Sequence, residues 1–193
     1  MIQYKTIRSE RYSASEQVQM AIEGGCGWIE FDTESVRPCD VRDILEPIIS
    51  MTKEAGAFLV ISGDPALAKE YGVHGTLLQN VEDNPMAVRE DLGPEAVVGV
   101  KVRNASDMSR LTGVDVDYTV VEFAGDYNAF ASFVAELRGI NPELPVVADG
   151  NVGVENAKML IEAGVSGVIL SRGFVDAADP VAYMAEALVS VAR

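Results

Sequence analysis

The feature that most constrains this chain is a recurring junction, in which an amphipathic helix ends at glycine and a short apolar strand begins within a few residues. Glycine accepts the left-handed backbone conformation that ends a helix and returns the chain to a sheet. Five such junctions predict stacked βα units. They lie in the segments IEGGCGWIEF, KEAGAFLVI, KEYGVHGTLL, LTGVDVDYTVV and IEAGVSGVIL.

The segments around these junctions predict eight strands in an alternating strand–helix pattern. Apolar residues recur with helical spacing between the strands, and Ser13 with Glu16 forms a capping box before the first helix. Strict alternation favours a parallel sheet, and eight units favour an α/β fold closed into a (β/α)8 TIM barrel. A doubly wound open sheet is the alternative. The predicted strands are 2–7, 28–31, 58–61, 75–78, 97–102, 118–121, 145–148 and 167–170.

Length and composition indicate one compact domain over residues 1–193, with 48% hydrophobic residues. The apolar runs are too short to cross a membrane and no secretory signal is visible, so we expect a cytoplasmic protein. The net charge of −15 disfavours nucleic acid and acidic membranes as partners, since both require a positive surface. Small molecules and other proteins remain, and a homo-oligomer is compatible with the sequence. Cys26 and Cys39 are predicted to be free thiols.

Two neighbouring strand ends carry features that bind anions. Gly150, after the seventh strand, allows backbone N–H groups to approach a ligand closely, and the helix that follows offers its positive N-terminus. After the eighth strand, Ser171 and Arg172 add a hydroxyl group, further N–H groups and a cation. In a closed barrel, a phosphate group binds at this position. The predicted phosphate-binding residues are Gly150, Asn151, Ser171, Arg172 and Gly173.

Acidic side chains and one lysine are predicted at the other strand ends, where barrels of this class have their active sites. Glu30 and Asp32 share one face of the second strand, Lys101 ends the fifth, Glu122 the sixth and Asp149 the seventh. Buried carboxylates around a lysine must pair, shift their pKa values or bind a cation. These five residues are the predicted catalytic set, with Lys101 its strongest single member. Ordinary salt links to loop backbone are the alternative for each carboxylate.

Three segments resemble the thiamine phosphate synthase and TenI group of TIM barrels: residues 55–93, VVGVKVRNASDMSRLTGVDVDY, and VVADGNVGVENAKMLIEAGVSGVILSRGF. In this family, a hydroxymethylpyrimidine diphosphate is joined to a thiazole phosphate with loss of pyrophosphate and with the help of Mg²⁺. The resemblance implies a small phosphorylated ligand, with the thiazole phosphate on Gly150, Asn151 and residues 171–173. It also implies Asp83 as the one acidic residue kept for Mg²⁺.

The resemblance is broken where the family binds the diphosphate. Its Gln, Arg and Lys positions on the second strand are occupied here by Glu30, Asp32 and Glu34, and its Asn-Asp pair falls on Ser62 and Gly63. Carboxylates repel a diphosphate, so these departures argue against ordinary synthase activity. TenI-type members tautomerise a thiazole carboxylate phosphate and do not need the diphosphate site.

Three functions therefore stay open. The first is a thiamine-related transferase or isomerase acting on a thiazole phosphate, although His74, the only histidine, does not match the histidine of TenI-type members. The second is a non-catalytic barrel that binds a phosphorylated ligand. The third follows from the phrases GWIEFD and ADG, which are similar to ribulose-phosphate 3-epimerase. In that enzyme class two aspartates exchange protons with a sugar phosphate, and Asp32 and Asp149 would be that pair.

Overall fold

The computed structural model describes residues 1–192 and contains a closed barrel of eight parallel strands, as the sequence predicts. Each strand pairs with its neighbours in sequence, and β8 returns to pair with β1. The open-sheet alternative is therefore wrong. The strands are β1 Ile2–Lys5, β2 Trp28–Asp32, β3 Phe58–Ser62, β4 Gly75–Leu78, β5 Val97–Lys101, β6 Tyr118–Phe123, β7 Val146–Gly150 and β8 Gly167–Leu170.

Helices surround the barrel and connect successive strands. The capping box predicted at Ser13 and Glu16 is present and begins the first helix. Short 3-10 turns lie at Thr33–Ser35, Pro38–Asp40 and Val81–Asp83. The helices are α1 Ala14–Glu23, α2 Val41–Ala55, α3 Pro65–Tyr71, α4 Pro85–Leu92, α5 Ala105–Arg110, α6 Tyr127–Ile140, α7 Val154–Glu162, α8 Arg172–Asp176 and α9 Pro180–Val191.

The glycine junctions work as the sequence predicts. Gly56 and Gly72 end α2 and α3 in the left-handed conformation, with φ of 65° and 59°. A side chain in this region of φ is disfavoured, so glycine sets the point where each helix stops. The other three junctions contain further positive-φ glycines, which are Gly25, Gly113 and Gly164.

The barrel has two apolar layers. The larger lies between the outer face of the sheet and the helices, while the smaller fills the lower part of the barrel interior. Gly99 is required in that interior, because a Cβ atom there would lie 2.3 Å from the Tyr118 ring. The inner layer leaves only the carboxyl end of the barrel for polar chemistry. Its members are Leu77, Tyr118, Val120, Val147 and Ile169, with Trp28 and Val97 packed against them.

The remaining expectations on thiols and membrane segments can be checked within residues 1–192. Both cysteines are free. Cys26 is buried, and burial raises the pKa of its thiol to about 11, whereas Cys39 is exposed. No helix in the described part of the chain combines the length and the apolar composition that a membrane span requires.

Candidate active site

The carboxyl ends of the strands surround a cavity of about 320 Å³. Side chains alternate across a strand, so every second residue points into the barrel. The strand register places Lys5 beside Glu30 on β1 and β2, and Glu122 beside Asp149 on β6 and β7. Acidic and basic groups from distant parts of the sequence therefore meet in one place. The charged and amide residues lining the cavity are Lys5, Gln79, Lys101, Arg103, Glu122 and Asp149.

We call the cavity at the carboxyl ends of the strands the barrel mouth. Its central contact is an ion pair between Lys5 and Asp149. The two side chains are only 13% and 10% exposed. Burial alone opposes the charge on Lys5, but the neighbouring Asp149 and Glu30 carboxyl groups outweigh it and raise the Lys5 pKa. The sequence did not point to Lys5, since the first strand was predicted to continue to Ile7. The strand ends at Lys5, which is therefore the strand-end residue.

Glu30 lies below this pair and is completely buried. Neither of its carboxyl oxygens has a hydrogen-bond partner in the described residues. Burial raises the Glu30 pKa to about 7, with a further increase from the Asp149 charge and an opposing effect of Lys5 and Lys101. Glu30 can therefore gain or lose a proton near neutral pH, which is the behaviour of a group that takes part in acid–base chemistry.

Asp32 lies two residues after Glu30 on the same face of β2 and is half-buried at the edge of the mouth. Its carboxylate accepts a hydrogen bond of 3.0 Å from the Glu34 backbone N–H, while its own N–H donates to the Thr6 hydroxyl at 2.9 Å. Burial raises the Asp32 pKa, and the Glu34 hydrogen bond partly offsets this. Asp32 is thus held in place by the loop that follows its own strand.

The expected arrangement of carboxylates around Lys101 is wrong in two respects. Lys101 faces the cavity but forms no ion pair within residues 1–192, and the cation that binds Asp149 is Lys5. Lys101 acts on Glu30 and Asp32 only through its charge. Glu122 is exposed, because β6 continues to Phe123 and carries Glu122 to the rim. The mouth therefore offers a free ammonium group beside a neutralised Lys5–Asp149 pair.

The structure brings the predicted phosphate-binding residues together. Gly150 has φ of +100°, and the loop after β7 lies against the turn after β8, where a Cβ atom on Gly173 would stand 3.7 Å from the Val152 carbonyl oxygen. Ser171 is 6% exposed, and its hydroxyl has no hydrogen-bond partner in the described residues. Arg172 is exposed beside it. The turn after β8 thus presents a hydroxyl, a cation and the open N–H groups of a helix start.

The loop after β7 is less open than the sequence suggests. Four consecutive N–H groups in it already have acceptors, so these four are not open to a ligand in this structure. Glu155 also folds over the start of α7, with its carboxylate 2.4 Å from the position of a Cβ atom on Gly153. The four bonds join Asn151 to the Phe123 carbonyl, Val152 to the Gly150 carbonyl, Gly153 to the Asn156 side chain and Val154 to the Tyr183 hydroxyl, at 2.8–3.0 Å.

Asp83, the acidic residue that the resemblance implies for Mg²⁺, is engaged with the local backbone, as is Asp64. Asp83 accepts the Asn80 backbone N–H at 2.9 Å, and Asp64 caps α3 by accepting the Leu67 N–H at 3.1 Å. Within residues 1–192, no group of three or more His, Cys, Asp or Glu side chains is placed to bind a metal. The acidic residues after β3 and β4 therefore hold the local backbone.

A larger groove of about 550 Å³ lies beside the mouth, along the loops after β1, β2 and β3. Two arginines line it, but the Arg42 guanidinium already binds both carboxylate oxygens of Glu70. Arg8 is exposed and forms no ion pair in the described part of the chain. Glu34 and Asp64 line the same groove. A single free cation among carboxylates is a poor site for a diphosphate.

Asp32 and Asp149 are the pair that the epimerase-like hypothesis requires. Asp32 and Asp149 both lie at the mouth, as that hypothesis requires, but they are not equivalent. Asp149 is paired with Lys5, whereas Asp32 is bound to the backbone of its own loop. His74 lies outside the mouth, where its Nδ1 accepts the Leu59 N–H at 3.0 Å. The two aspartates therefore differ in environment.

Comparisons with known proteins agree with this geometry. The sequence profile of the family described as thiamine monophosphate synthase matches residues 5–174. The thiamine-phosphate synthase of Bacteroides fragilis is 28% identical over 193 residues, covering 93% of this chain and 94% of that protein. The corresponding protein of Bacteroides thetaiotaomicron is 28% identical over 198 residues, covering 94% and 92%.

Solved structures show the same fold. The thiamine phosphate pyrophosphorylase of Pyrococcus furiosus superposes with a TM-score of 0.83 at 20% identity, covering 98% of this chain and 94% of that one. A structure described as native KDPGal gives a TM-score of 0.78 at 14% identity, covering 97% and 93%. At these identities the likeness establishes the barrel and leaves the chemistry to the residues of the mouth.

Proposed function

Because the chain belongs to the thiamine monophosphate synthase family, we propose that its mouth binds a thiazole phosphate and transfers a proton on it, without displacing pyrophosphate. The phosphate group lies at the ends of β7 and β8, and the ring lies over the Lys5–Asp149 pair. The observation that carries this proposal is the buried, unpartnered Glu30 carboxyl group with a pKa of about 7 below that pair.

The phosphate half rests on the turn after β8. The Ser171 hydroxyl lacks a partner in the described residues, and the Arg172 guanidinium is exposed next to it. Hydrogen bonds to a charged oxygen contribute more than neutral ones, so a hydroxyl and helix N–H groups are suited to a phosphate dianion. The occupied N–H groups of the loop after β7 indicate that β8 supplies most of the contacts.

The proton-transfer half rests on shared charge. Asp149 lines the cavity and can accept a proton from a ligand, while the Asp149 charge raises the pKa of Glu30. When Asp149 takes up the proton and becomes neutral, the pKa of Glu30 falls. The ionised Glu30 carboxylate then replaces Asp149 as the negative partner of the Lys5 charge. Lys101 places an unpaired ammonium group where negative charge would develop on the ligand. Asp149 and Lys101 are the catalytic residues of this proposal, and Glu30 sets the charge beneath them.

The case against pyrophosphate displacement rests on β2. Asp32, at the edge of the mouth, would repel a diphosphate by about 4 kcal/mol per unit charge at contact distance and an effective dielectric constant of ~20, and Glu30, buried below, adds to this when it is ionised. Asp64 and Asp83 each accept a backbone N–H group and line cavities other than the mouth. The chain belongs to a family of synthases but lacks the charge that a diphosphate requires.

Three assays on the purified protein test this proposal. Calorimetry measures binding of hydroxyethylthiazole phosphate, NMR in D2O measures solvent exchange into thiazole carboxylate phosphate, and a coupled assay with the pyrimidine diphosphate and Mg²⁺ measures thiamine phosphate. We expect binding and exchange, with exchange lost in Asp149→Asn and Lys101→Met and kept in Asp176→Asn, an exposed control in α8. Thiamine phosphate formation above the uncatalysed rate would contradict the proposal, and binding without exchange would leave a non-catalytic barrel.

A further inference from the structure

Tyr183 of α9 lies where the two halves of the phosphate region meet. Its hydroxyl oxygen accepts the Val154 N–H of α7 at 3.0 Å. The same oxygen is 2.6 Å from the position that a Cβ atom would take on Gly173, in the first turn of α8. One hydroxyl therefore touches the start of both helices that follow β7 and β8.

This hydroxyl has an unused donor. A phenol offers one hydrogen and two lone pairs, and the Val154 N–H occupies one lone pair. The hydroxyl donates no hydrogen bond within residues 1–192. Burial raises the Tyr183 pKa, with the Val154 bond opposing and the Glu155 and Glu186 charges adding to the rise. The group therefore remains protonated at neutral pH and can donate.

A second hydroxyl at the same junction is also unsatisfied. Ser171 is 6% exposed, precedes the first turn of α8, and its side chain caps neither α8 nor any other group in the described chain. The Ser171 oxygen is not among the fully buried unsatisfied atoms, so this hydroxyl is open to solvent and can bind a ligand without breaking an existing hydrogen bond. Ser171 precedes the first turn of α8 and the Tyr183 hydroxyl lies against Gly173 in that turn, so two hydroxyl donors at one helix start suit a group with several acceptor oxygens.

We propose that Tyr183 is a phosphate-binding residue, whose hydroxyl donates to the same phosphate group as Ser171. This inference rests on the proposed function, since it assigns one more contact to that ligand. The Val154 N–H polarises the hydroxyl that accepts it, so Tyr183 extends the positive end of α7 by one O–H group. The Tyr183 hydroxyl supplies a donor in place of the backbone N–H groups of the loop after β7, which are already bound to other acceptors. Tyr183 also selects a phosphorylated ligand over the same ligand with a free hydroxyl.

The test compares two ligands in three variants by calorimetry. The ligands are hydroxyethylthiazole phosphate and the unphosphorylated hydroxyethylthiazole. Tyr183→Phe removes the donor, and Gly173→Ala crowds the hydroxyl without removing it, since a helical backbone accepts alanine. Tyr127→Phe is the control, because this half-buried tyrosine at the start of α6 makes no side-chain hydrogen bond in the described chain.

We expect Tyr183→Phe and Gly173→Ala each to weaken phosphate binding by about 10-fold or more, with the affinity for the unphosphorylated thiazole unchanged. Tyr127→Phe should match the wild type for both ligands. If the wild-type protein does not prefer the phosphorylated ligand, the proposed function fails. If it does, and Tyr183→Phe keeps the full preference or loses affinity equally for both ligands, the role of Tyr183 is overturned while the proposed function stands.

Discussion

The two halves of the barrel mouth differ in how they treat charge. The β1–β2 half holds Lys5, Glu30 and Asp32 as side chains that point into the barrel, with Asp149 of β7 completing the ion pair. The β7–β8 rim uses backbone turns, small residues and hydroxyl groups, with Gly150 and Ser171 at its centre. The first half is rich in titratable groups, and the second is rich in fixed donors.

This difference is the basis of the proposed function. Fixed donors at helix starts suit a ligand phosphate and depend little on the reaction that follows. Side chains that project from the strands set the reaction, and here they replace the cations of a diphosphate clamp with carboxylates. The chain keeps the fold of the family, and in the proposed function the β7–β8 rim holds the phosphate while the opposite half serves proton transfer.

The largest expected effect is on the stability of the charged half of the mouth, when its ion pair is broken. Lys5→Met leaves Asp149 without its cation in a site where both side chains are nearly buried, so we expect a loss of about 3–5 kcal/mol in the free energy of unfolding. Urea unfolding at neutral pH measures this loss. Lys69→Met, which breaks the exposed Lys69–Asp91 pair, should cost less than about 1 kcal/mol. Equal losses in the two variants would contradict a buried pair at the mouth.

The next prediction concerns the pH dependence of stability. The Glu30 pKa is raised from 4.5 to about 7 on folding, so the folded protein binds the proton more tightly than the unfolded chain does. The stability that a neutral Glu30 allows is present below pH 4.5 and is lost as pH rises towards 7. The Glu30→Gln variant has no titrating group at this position. Between pH 4.5 and 7, its free energy of unfolding should therefore rise relative to that of the wild type by up to about 3 kcal/mol.

Unfolding curves from pH 4.5 to 8 measure that difference directly. Glu34→Gln, a change in an exposed residue just after the same strand, is the control and should follow the wild-type curve. A Glu30→Gln variant whose curve runs parallel to the wild type would show that Glu30 titrates alike in both states, and the charged half would lose its acid–base role.

The smallest expected effect is on the affinity of the β7–β8 rim for a phosphate. Glu155 holds its carboxylate over the start of α7, close to where a ligand phosphate would lie. Glu155→Gln removes a screened repulsion and should tighten binding of hydroxyethylthiazole phosphate by a few-fold, with little change for the unphosphorylated thiazole. Glu162→Gln, at the far end of α7, is the matched control. Weaker phosphate binding in Glu155→Gln would place the phosphate elsewhere.

Much of the fold could be predicted from the sequence, because its signals are local. A glycine that takes positive φ after an amphipathic helix marks the end of that helix, and all five predicted junctions contain one. β4 and β8 were predicted with their observed bounds. Strand ends without such a signal were less certain, and β1 ends two residues earlier than its apolar pattern suggests.

The site was only partly predictable, because its contacts join residues far apart in sequence. Lys5 and Asp149 are 144 residues apart, and only the closure of the barrel between β8 and β1 brings them together. Tyr183 lies on α9, whose apolar sequence carries no sign of a ligand contact. The self-bonded loop after β7 likewise depends on tertiary contacts, since Val154 donates to Tyr183. The acidic residues at the strand ends could be identified from the sequence. The groups that they contact could be identified only from the structure.

The central claim is that phosphate binds at the β7–β8 rim and that the β2 carboxylates exclude a diphosphate. A crystal structure of the protein soaked with hydroxyethylthiazole phosphate and pyrophosphate together tests it most directly. We predict phosphate density between Ser171 and the loop that begins at Gly150, and none beside Glu30 and Asp32. Pyrophosphate bound against Asp32, or thiazole phosphate bound away from Ser171, would contradict the account.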